Sequence, residues 1–74
     1  MTLDALELHR PAEILEIAGR GPLAQRLMAM GFLPGATVRV VQVAPLGDPL
    51  EIELDGWRVG LRRAEAATLV VRES

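Results

Sequence analysis

The sequence predicts a mainly β fold: a small antiparallel barrel with one short α-helix between its first and second strands. Three observations predict it. Residues 50–61 alternate apolar and polar side chains on both sides of an Asp-Gly pair, as a β-hairpin does. Residues 37–43 alternate as well, but with a slip of one position that indicates a bend. Residues 22–30 have helical periodicity and end at a glycine, Gly31.

The first eighteen residues lead into the fold. Residues 1–11 predict no regular element, only a turn or irregular entry that stops before Pro11. Residues 12–18 predict the first strand. Leu15 and Ile17 flank an acidic residue in this stretch, so we expect both apolar side chains on the buried face of the strand.

The helix predicted for residues 22–30 has clear end signals. Pro22 suits its first position, where a missing N–H costs nothing, and Gly21 precedes it as the N-cap. Gly31 suits a left-handed residue that ends the helix, and Pro34 prevents the helix from continuing. One side of the helix is apolar and is formed by Leu23, Ala24, Leu27, Met28 and Met30. A helix this short is not stable alone in water, so we expect it to lie on an apolar surface.

The second strand, residues 37–43, contains two apolar pairs that are out of phase. Val38 and Val40 alternate with polar residues, and so do Val41 and Val43, but the phase changes by one residue between the pairs. A β-bulge between Val40 and Val41 would place both pairs on the inside. Small barrels need such bends because a short sheet closes only if its strands curl.

Residues 50–61 give the strongest local signal. Residues 50–54 and 57–61 both alternate, and Asp55-Gly56 is a preferred two-residue type I′ turn. A two-residue loop fixes the register of the two strands, which pairs Leu54 with Trp57, Glu53 with Arg58, Ile52 with Val59 and Leu50 with Leu61. All the apolar partners then share one face.

The last third of the chain completes the sheet. Residues 62–67 predict one helical turn, and residues 68–72 predict a last strand that pairs with the first. The order is then strand, helix and four further strands, with short connections. This order favours a small, partly closed SH3-like barrel, with the helix covering one end, over a sandwich. We expect one domain, residues 1–74, with a small core.

Composition argues against several function classes. The chain has ten acidic and eight basic side chains and a net charge of −2, whereas nucleic-acid-binding domains are usually basic. It has no cysteine, which excludes disulfides, thiolate metal sites and a thiol nucleophile. We find neither an apolar leader nor a stretch of membrane-spanning length. We therefore expect a cytoplasmic protein with no nucleic-acid partner and no direct membrane insertion.

The sequence offers little material for catalysis. Its only histidine, His9, lies near the N-terminus, where we expect it to be exposed. No phosphate-binding loop, dinucleotide-binding glycine pattern or zinc-protease motif occurs. We predict no catalytic residue, no cofactor and no enzyme activity.

Three acidic residues alternate along one predicted strand and its turn: Glu51, Glu53 and Asp55. Such a row is compatible with a hard-cation site. Arg58 and Arg62 lie across the strand in the predicted hairpin and would neutralise two of the carboxylates. We therefore favour a solvated, ion-paired sheet face over a metal site.

Binding through a surface remains, and the helix and one loop supply the candidates. Met28 lies at one margin of the apolar side of the helix, and Met30 lies beside Arg26 at the other. Methionine adapts to irregular partners, so we consider a protein-contact patch that includes Met28 and Phe32. Methionine as simple core filler is the alternative. Asp48 lies in a Pro-flanked loop, where it either contacts a partner or caps its own turn.

Three segments carry a resemblance to a known family. They are RLMAMGFLPG at residues 26–35, APLGDP at residues 44–49 and LRRAEA at residues 61–66. Their order and spacing resemble the ferrous iron transport protein A (FeoA) family over nearly the full chain. One departure is Arg10-Pro11, where the family more often has Pro-Gly before its first strand.

The resemblance implies an SH3-like barrel in the cytoplasm with a role in ferrous iron uptake. The implied partner is the membrane transporter FeoB, contacted through its cytoplasmic GTP-binding region. The implied role is accessory or regulatory, without enzyme activity. From the margins of the helix and the Pro-flanked loop, the contact residues that we expect are Arg26, Met28, Met30, Phe32 and Asp48.

Other roles stay open at this point. The same SH3-like module forms the C-terminal domain of iron-dependent repressors, so a free-standing metal-sensing or peptide-binding module is the alternative. A third hypothesis is that the chain regulates the GTPase activity of the transporter. Weak self-association is also left open.

Overall fold

The computed structural model describes all residues, 1–74. Five strands form one antiparallel sheet in the order β4-β3-β2-β1-β5. The elements are a 3-10 helix at Leu3–Ala5, β1 at Ala12–Ile17, α1 at Pro22–Met30, β2 at Thr37–Val43, β3 at Leu50–Leu54, β4 at Trp57–Leu61, α2 at Arg63–Ala66 and β5 at Leu69–Glu73. The predicted fold class is confirmed: mainly β, with one short helix between the first and second strands. None of the helices has the length and apolar composition needed to span a bilayer.

The predicted hairpin is confirmed in full register. All four cross-strand pairs occur as expected between β3 and β4. Asp55 and Gly56 both have positive φ, 47° and 88°, as a type I′ turn requires. One detail differs: Trp57 is 75% exposed although its partner Leu54 is buried. The apolar face of the hairpin therefore leaves the core at its turn end.

The bulge predicted in β2 is also confirmed, but its consequence is not. Val40 pairs with Ile52 and Gln42 pairs with Glu51, so Val41 is the extra residue. Val41 is only half-buried, and Val43 is 38% exposed. The expectation that both valine pairs face inward is wrong, because the strand ends just past the bulge and the core does not extend over its last residues.

The side-chain phase predicted for β1 is confirmed for Ile17 and wrong for Leu15. Ala12 and Ile14 are buried, whereas Leu15 is exposed. The pairing with β5 changes register between Ile14 and Glu16, so Leu15 occupies a bulge and points away from the core. Ile17 is half-buried and packs against the core. A bulge set by the distant strand β5 leaves no local signal.

The N-terminal segment is part of the core. The predicted irregular entry is a 3-10 helix at Leu3–Ala5, and Leu3 and Leu6 are both buried. Their helical spacing places the two leucines on the same side of the turn. The buried cluster they join contains Leu3, Leu6, Ala12, Ile14, Leu27, Phe32, Val38, Val40, Leu50, Ile52, Leu54, Leu61, Ala66, Leu69 and Val71.

Helix α1 ends in a Schellman motif. Gly31 has a φ of 107°, its N–H donates to the carbonyl of Met28, and the N–H of Phe32 donates to the carbonyl of Leu27, both at 3.0 Å. Reversal of the chain at Gly31 turns Phe32 back toward Leu27, and both side chains are fully buried. This apolar pair anchors the helix on the sheet.

We expect Gly31→Ala to lower the free energy of unfolding by about 1–2 kcal/mol, because a Cβ strains left-handed backbone. Urea unfolding followed by circular dichroism measures the change. Gly60→Ala is the matched control, since Gly60 lacks a positive φ and has open space where a Cβ would lie. Equal stability of the two variants would contradict the role assigned to Gly31.

Candidate partner-binding site

The largest concave feature of the surface is a cleft of about 450 Å³ beside α1. The last turns of α1 form one wall, and the junction between β4 and α2 forms the other. The loop before β3 closes one end. The lining residues are Arg26, Met30, Pro49, Gly60, Leu61, Arg62 and Glu65.

The carboxylate of Glu65 organises the charges in this cleft. It forms an ion pair with the Arg26 guanidinium, and its Oε1 accepts the backbone N–H of Arg62 at 2.8 Å. The spacing is that of a capping box, in which the residue at N3 bonds back to the N-cap N–H. The Arg62 guanidinium lies within 4.0 Å of no carboxylate, so the cleft keeps an excess positive charge.

Asp48 stabilises the start of α2 and does not cap its own turn. Its Oδ1 accepts the backbone N–H of Arg63 at 2.9 Å. The Arg63 side chain in turn donates to the carbonyls of Gly47 and Asp4, both at 2.9 Å. These bonds tie the loop to α2 and to the N-terminal 3-10 helix. They fix Pro49, and with it one end of the cleft.

The two methionines of α1 lie on opposite margins of its buried face. Met30 is 38% exposed and lines the cleft, next to Arg26. Met28 is 43% exposed and lies about 200° around the helix from Arg26, on the side away from the cleft. The structure therefore brings Arg26, Met30 and the loop of Asp48 together, and it leaves Met28 apart from them.

Phe32 is not a surface residue. Its relative exposure is 0%, so the expectation that it belongs to a contact patch is wrong. The Schellman motif at Gly31 is the reason, because it folds Phe32 back onto Leu27 beneath the helix. Phe32 supports the helix from below and cannot touch a partner.

The row of acidic side chains on β3 is an ion-paired face. The Arg58 guanidinium lies 3.6 Å from Glu51, and that of Arg39 lies 3.8 Å from Glu53. The sequence predicted Arg62 as the second paired cation. In the structure that cation is Arg39 of β2. No group of three or more His, Asp or Glu side chains is placed to hold a metal ion. His9, at the start of the chain, is exposed as predicted.

Sequence reasoning missed Glu65 as the residue that organises the cleft. Its local signal is the Arg62-x-x-Glu65 spacing, which matches a capping box at a helix start. Nothing local indicates that Arg26, far away in the sequence, meets Glu65. Gly31, the residue after α1, lies close to the Leu54 side chain of β3, and Arg26 meets Glu65 where α1 and α2 line the same cleft.

Comparison with known proteins finds a matching family and solved structures of similar fold. A family model described as the FeoA domain matches residues 1–73. The chain is 41% identical over 71 residues to the Fe(2+) transport protein A/Fe(2+) transporter FeoB fusion protein of Porphyromonas gingivalis. The match covers 96% of this chain and 8% of that protein, so the similarity concerns one small part of it.

Two solved structures are similar over nearly the whole chain. Iron(II) transport protein A from Clostridium thermocellum is 38% identical, covers 99% of this chain and 45% of its own, and has a TM-score of 0.94. The zinc complex of FeoA from Stenotrophomonas maltophilia is 36% identical, covers 97% of this chain and 89% of its own, and has a TM-score of 0.87. The latter is described as a prokaryotic SH3 domain protein, which agrees with the SH3-like barrel predicted from the sequence.

Proposed function

Since this chain belongs to the FeoA family, we propose that it is a non-catalytic accessory protein of ferrous iron uptake that works in the cytoplasm. It acts by binding the cytoplasmic GTP-binding region of a FeoB-type transporter. The observation that carries this proposal is the Porphyromonas gingivalis fusion protein, in which a segment similar to this chain is joined to a FeoB transporter.

A covalent link keeps two domains at high effective concentration, so a fused pair can work together even when its contact is weak. A separate chain lacks that help and must bind through its own surface. A standard interface buries about 800 Å² on each partner. The whole accessible surface of this chain is 4466 Å², so one such contact takes up a substantial share of it.

The surface that we propose for this contact is the exposed face of α1 together with the adjoining cleft. Arg26 and Met30 line that cleft, and Met28 borders the helix on its other side. Asp48 holds the loop at the end of the cleft. A standard interface is large enough to cover both edges of the exposed face of α1, because the helix is short. Met30, partly exposed beside Arg26, combines adaptable apolar area with charge.

The test is a titration of the purified chain with the transporter's cytoplasmic region, without nucleotide, with GDP and with a GTP analogue. We expect binding with a Kd of about 10 μM or tighter in at least one nucleotide state. Absence of binding at ~100 μM in all three states would contradict the proposal. A parallel titration with Fe²⁺ separates this role from metal sensing, because a sensor binds the ion tightly without the transporter.

We expect Met28→Glu and Met30→Glu each to weaken transporter binding about tenfold, by ~1.4 kcal/mol. Each places a charge where an apolar contact is proposed. Both side chains are partly exposed, so the fold is expected to survive; thermal unfolding verifies this. Leu15→Glu is the matched control, because Leu15 is 41% exposed on β1, two strands away from β3. Equal weakening by all three variants would contradict the assigned surface.

A further inference from the structure

The two outer edges of the open sheet are treated differently. The edge of β5 is covered by the N-terminal segment, since Thr2 forms a bridge with Val70 and the N–H of Val71 donates to the carbonyl of Met1 at 2.9 Å. The edge of β4 has no such cover. Exposed strand edges present unpaired N–H and C=O groups and readily pair with another chain.

The pairing with β3 identifies which groups of β4 are free. A two-residue hairpin loop makes its flanking residues a hydrogen-bonded pair, and bonded and non-bonded pairs then alternate. Trp57, Val59 and Leu61 therefore direct their N–H and C=O groups toward β3, and Arg58 and Gly60 direct theirs outward. Neither Arg58 nor Gly60 forms a backbone hydrogen bond with any segment beyond the strands. Both residues are exposed.

The next outward N–H along this edge is already occupied. Arg62 N–H donates to the Glu65 carboxylate within the capping box of α2, so it is not free. Beyond that point the chain enters α2. The free edge therefore comprises the N–H and C=O groups of Arg58 and Gly60.

Concave surface lies beside this free edge. The cleft of about 450 Å³ and a second one of about 180 Å³ are both lined by Gly60 and Pro49. Gly60 has no side chain, so nothing screens its backbone from either cleft. Successive side chains of an added strand point to opposite faces of the sheet, which suits two clefts flanking one glycine.

We propose that an extended, acidic segment of the transporter's cytoplasmic region adds to β4 as a sixth strand and places a carboxylate between Arg26 and Arg62. This inference rests on the proposed function and assigns its mode of contact. Backbone hydrogen bonds to Arg58 and Gly60 supply the affinity of such strand addition, and the flanking clefts supply its specificity. The unpaired guanidinium of Arg62 selects for negative charge.

The β4 edge of a second copy of this chain carries Arg58 and Arg62 and no carboxylate between residues 57 and 62, so it offers this edge no opposite charge. In an antiparallel self-pairing centred on Gly60, Arg58 of each copy would lie opposite Arg62 of the other. Like charges directly opposite each other destabilise a strand pair. An acidic partner removes that repulsion.

The test compares Gly60→Pro with Gly60→Ala in the titration against the transporter's cytoplasmic region. Proline removes the outward N–H and leaves the hydrogen bonds to β3 in place, as tolerated on edge strands. Alanine keeps the N–H. We expect at least about tenfold weaker binding by Gly60→Pro and less than about threefold by Gly60→Ala. Arg62→Gln is expected to weaken binding severalfold, and Arg20→Gln, an exposed arginine without an ion pair, is not.

A second measurement does not depend on the proline variant folding. Hydrogen exchange of the Arg58 and Gly60 amides in the wild-type chain is expected to slow on binding. Wild-type affinity of a folded Gly60→Pro variant, or unchanged exchange at both amides in the complex, overturns strand addition and leaves the proposed function standing. Failure of the wild-type chain to bind overturns both.

Discussion

Phe32→Ala is expected to lower the free energy of unfolding by about 3–5 kcal/mol. Phe32 is the bulkiest of the fully buried side chains, and its N–H closes the motif that ends α1. Its removal leaves a cavity between helix and sheet. Small domains have total stabilities near the low end of about 5–15 kcal/mol. The variant is therefore expected to be largely unfolded at 37 °C, as shown by thermal unfolding followed by circular dichroism.

Leu33→Ala is the control for Phe32→Ala. Leu33 is the next residue and is 48% exposed, so its truncation is expected to change stability by no more than about 0.5 kcal/mol. The comparison separates burial from any general effect of substitution in this segment. If the two variants unfold at the same temperature, Phe32 is not the anchor beneath the helix.

Leu27→Ala is expected to cost about 2–5 kcal/mol. Leu27 is fully buried on the face of α1 that meets the sheet. Alanine has a higher helix propensity than leucine, so the substitution by itself favours the helix. Any loss of stability therefore comes from the lost packing of the Leu27 side chain. Urea unfolding of the variant determines the cost.

Met28→Ala, one residue further along the same helix, is the matched variant for Leu27→Ala. Met28 is partly exposed, so its truncation is expected to cost much less. A loss as large as that for Leu27→Ala would mean that the buried face of α1 is assigned wrongly.

Local signals predicted most of the fold. The hairpin of β3 and β4 was predicted pair by pair, because a two-residue loop fixes the register and every apolar pair agrees with it. The bounds of α1 follow from Pro22 and Gly31, which act within one turn of the helix. Such features depend on residues that are neighbours in the sequence.

Several of the errors concern structure that a residue's immediate neighbours do not determine. Leu15 points outward because pairing with β5 creates a bulge, and β5 lies at the other end of the chain. Phe32 looked like part of a surface patch, since an apolar residue after a helix can point either way until the end motif and the sheet are known. Leu3 and Leu6 join a core that residues 1–11 alone do not reveal.

Only part of the candidate site was predicted, because the rest depends on contacts between segments that are distant in the sequence. Arg26 and Met30 follow from the helix periodicity and do line the cleft. Glu65 and Arg62 complete it from the other end of the chain, and the free edge at Gly60 depends on the strand order of the sheet. No local sequence pattern shows that Glu65 and Arg62 complete the cleft or that the strand edge at Gly60 is free.

Photo-cross-linking tests most directly the claim that the α1 side of the barrel meets the transporter. A photoreactive phenylalanine analogue replaces Met30 in one variant and Leu15 in another, and each is irradiated with the transporter's cytoplasmic region. Cross-links from position 30 and none from position 15 are the expected result. Cross-links from position 15 alone would contradict the account, because they would place the partner on β1, three strands away from β4.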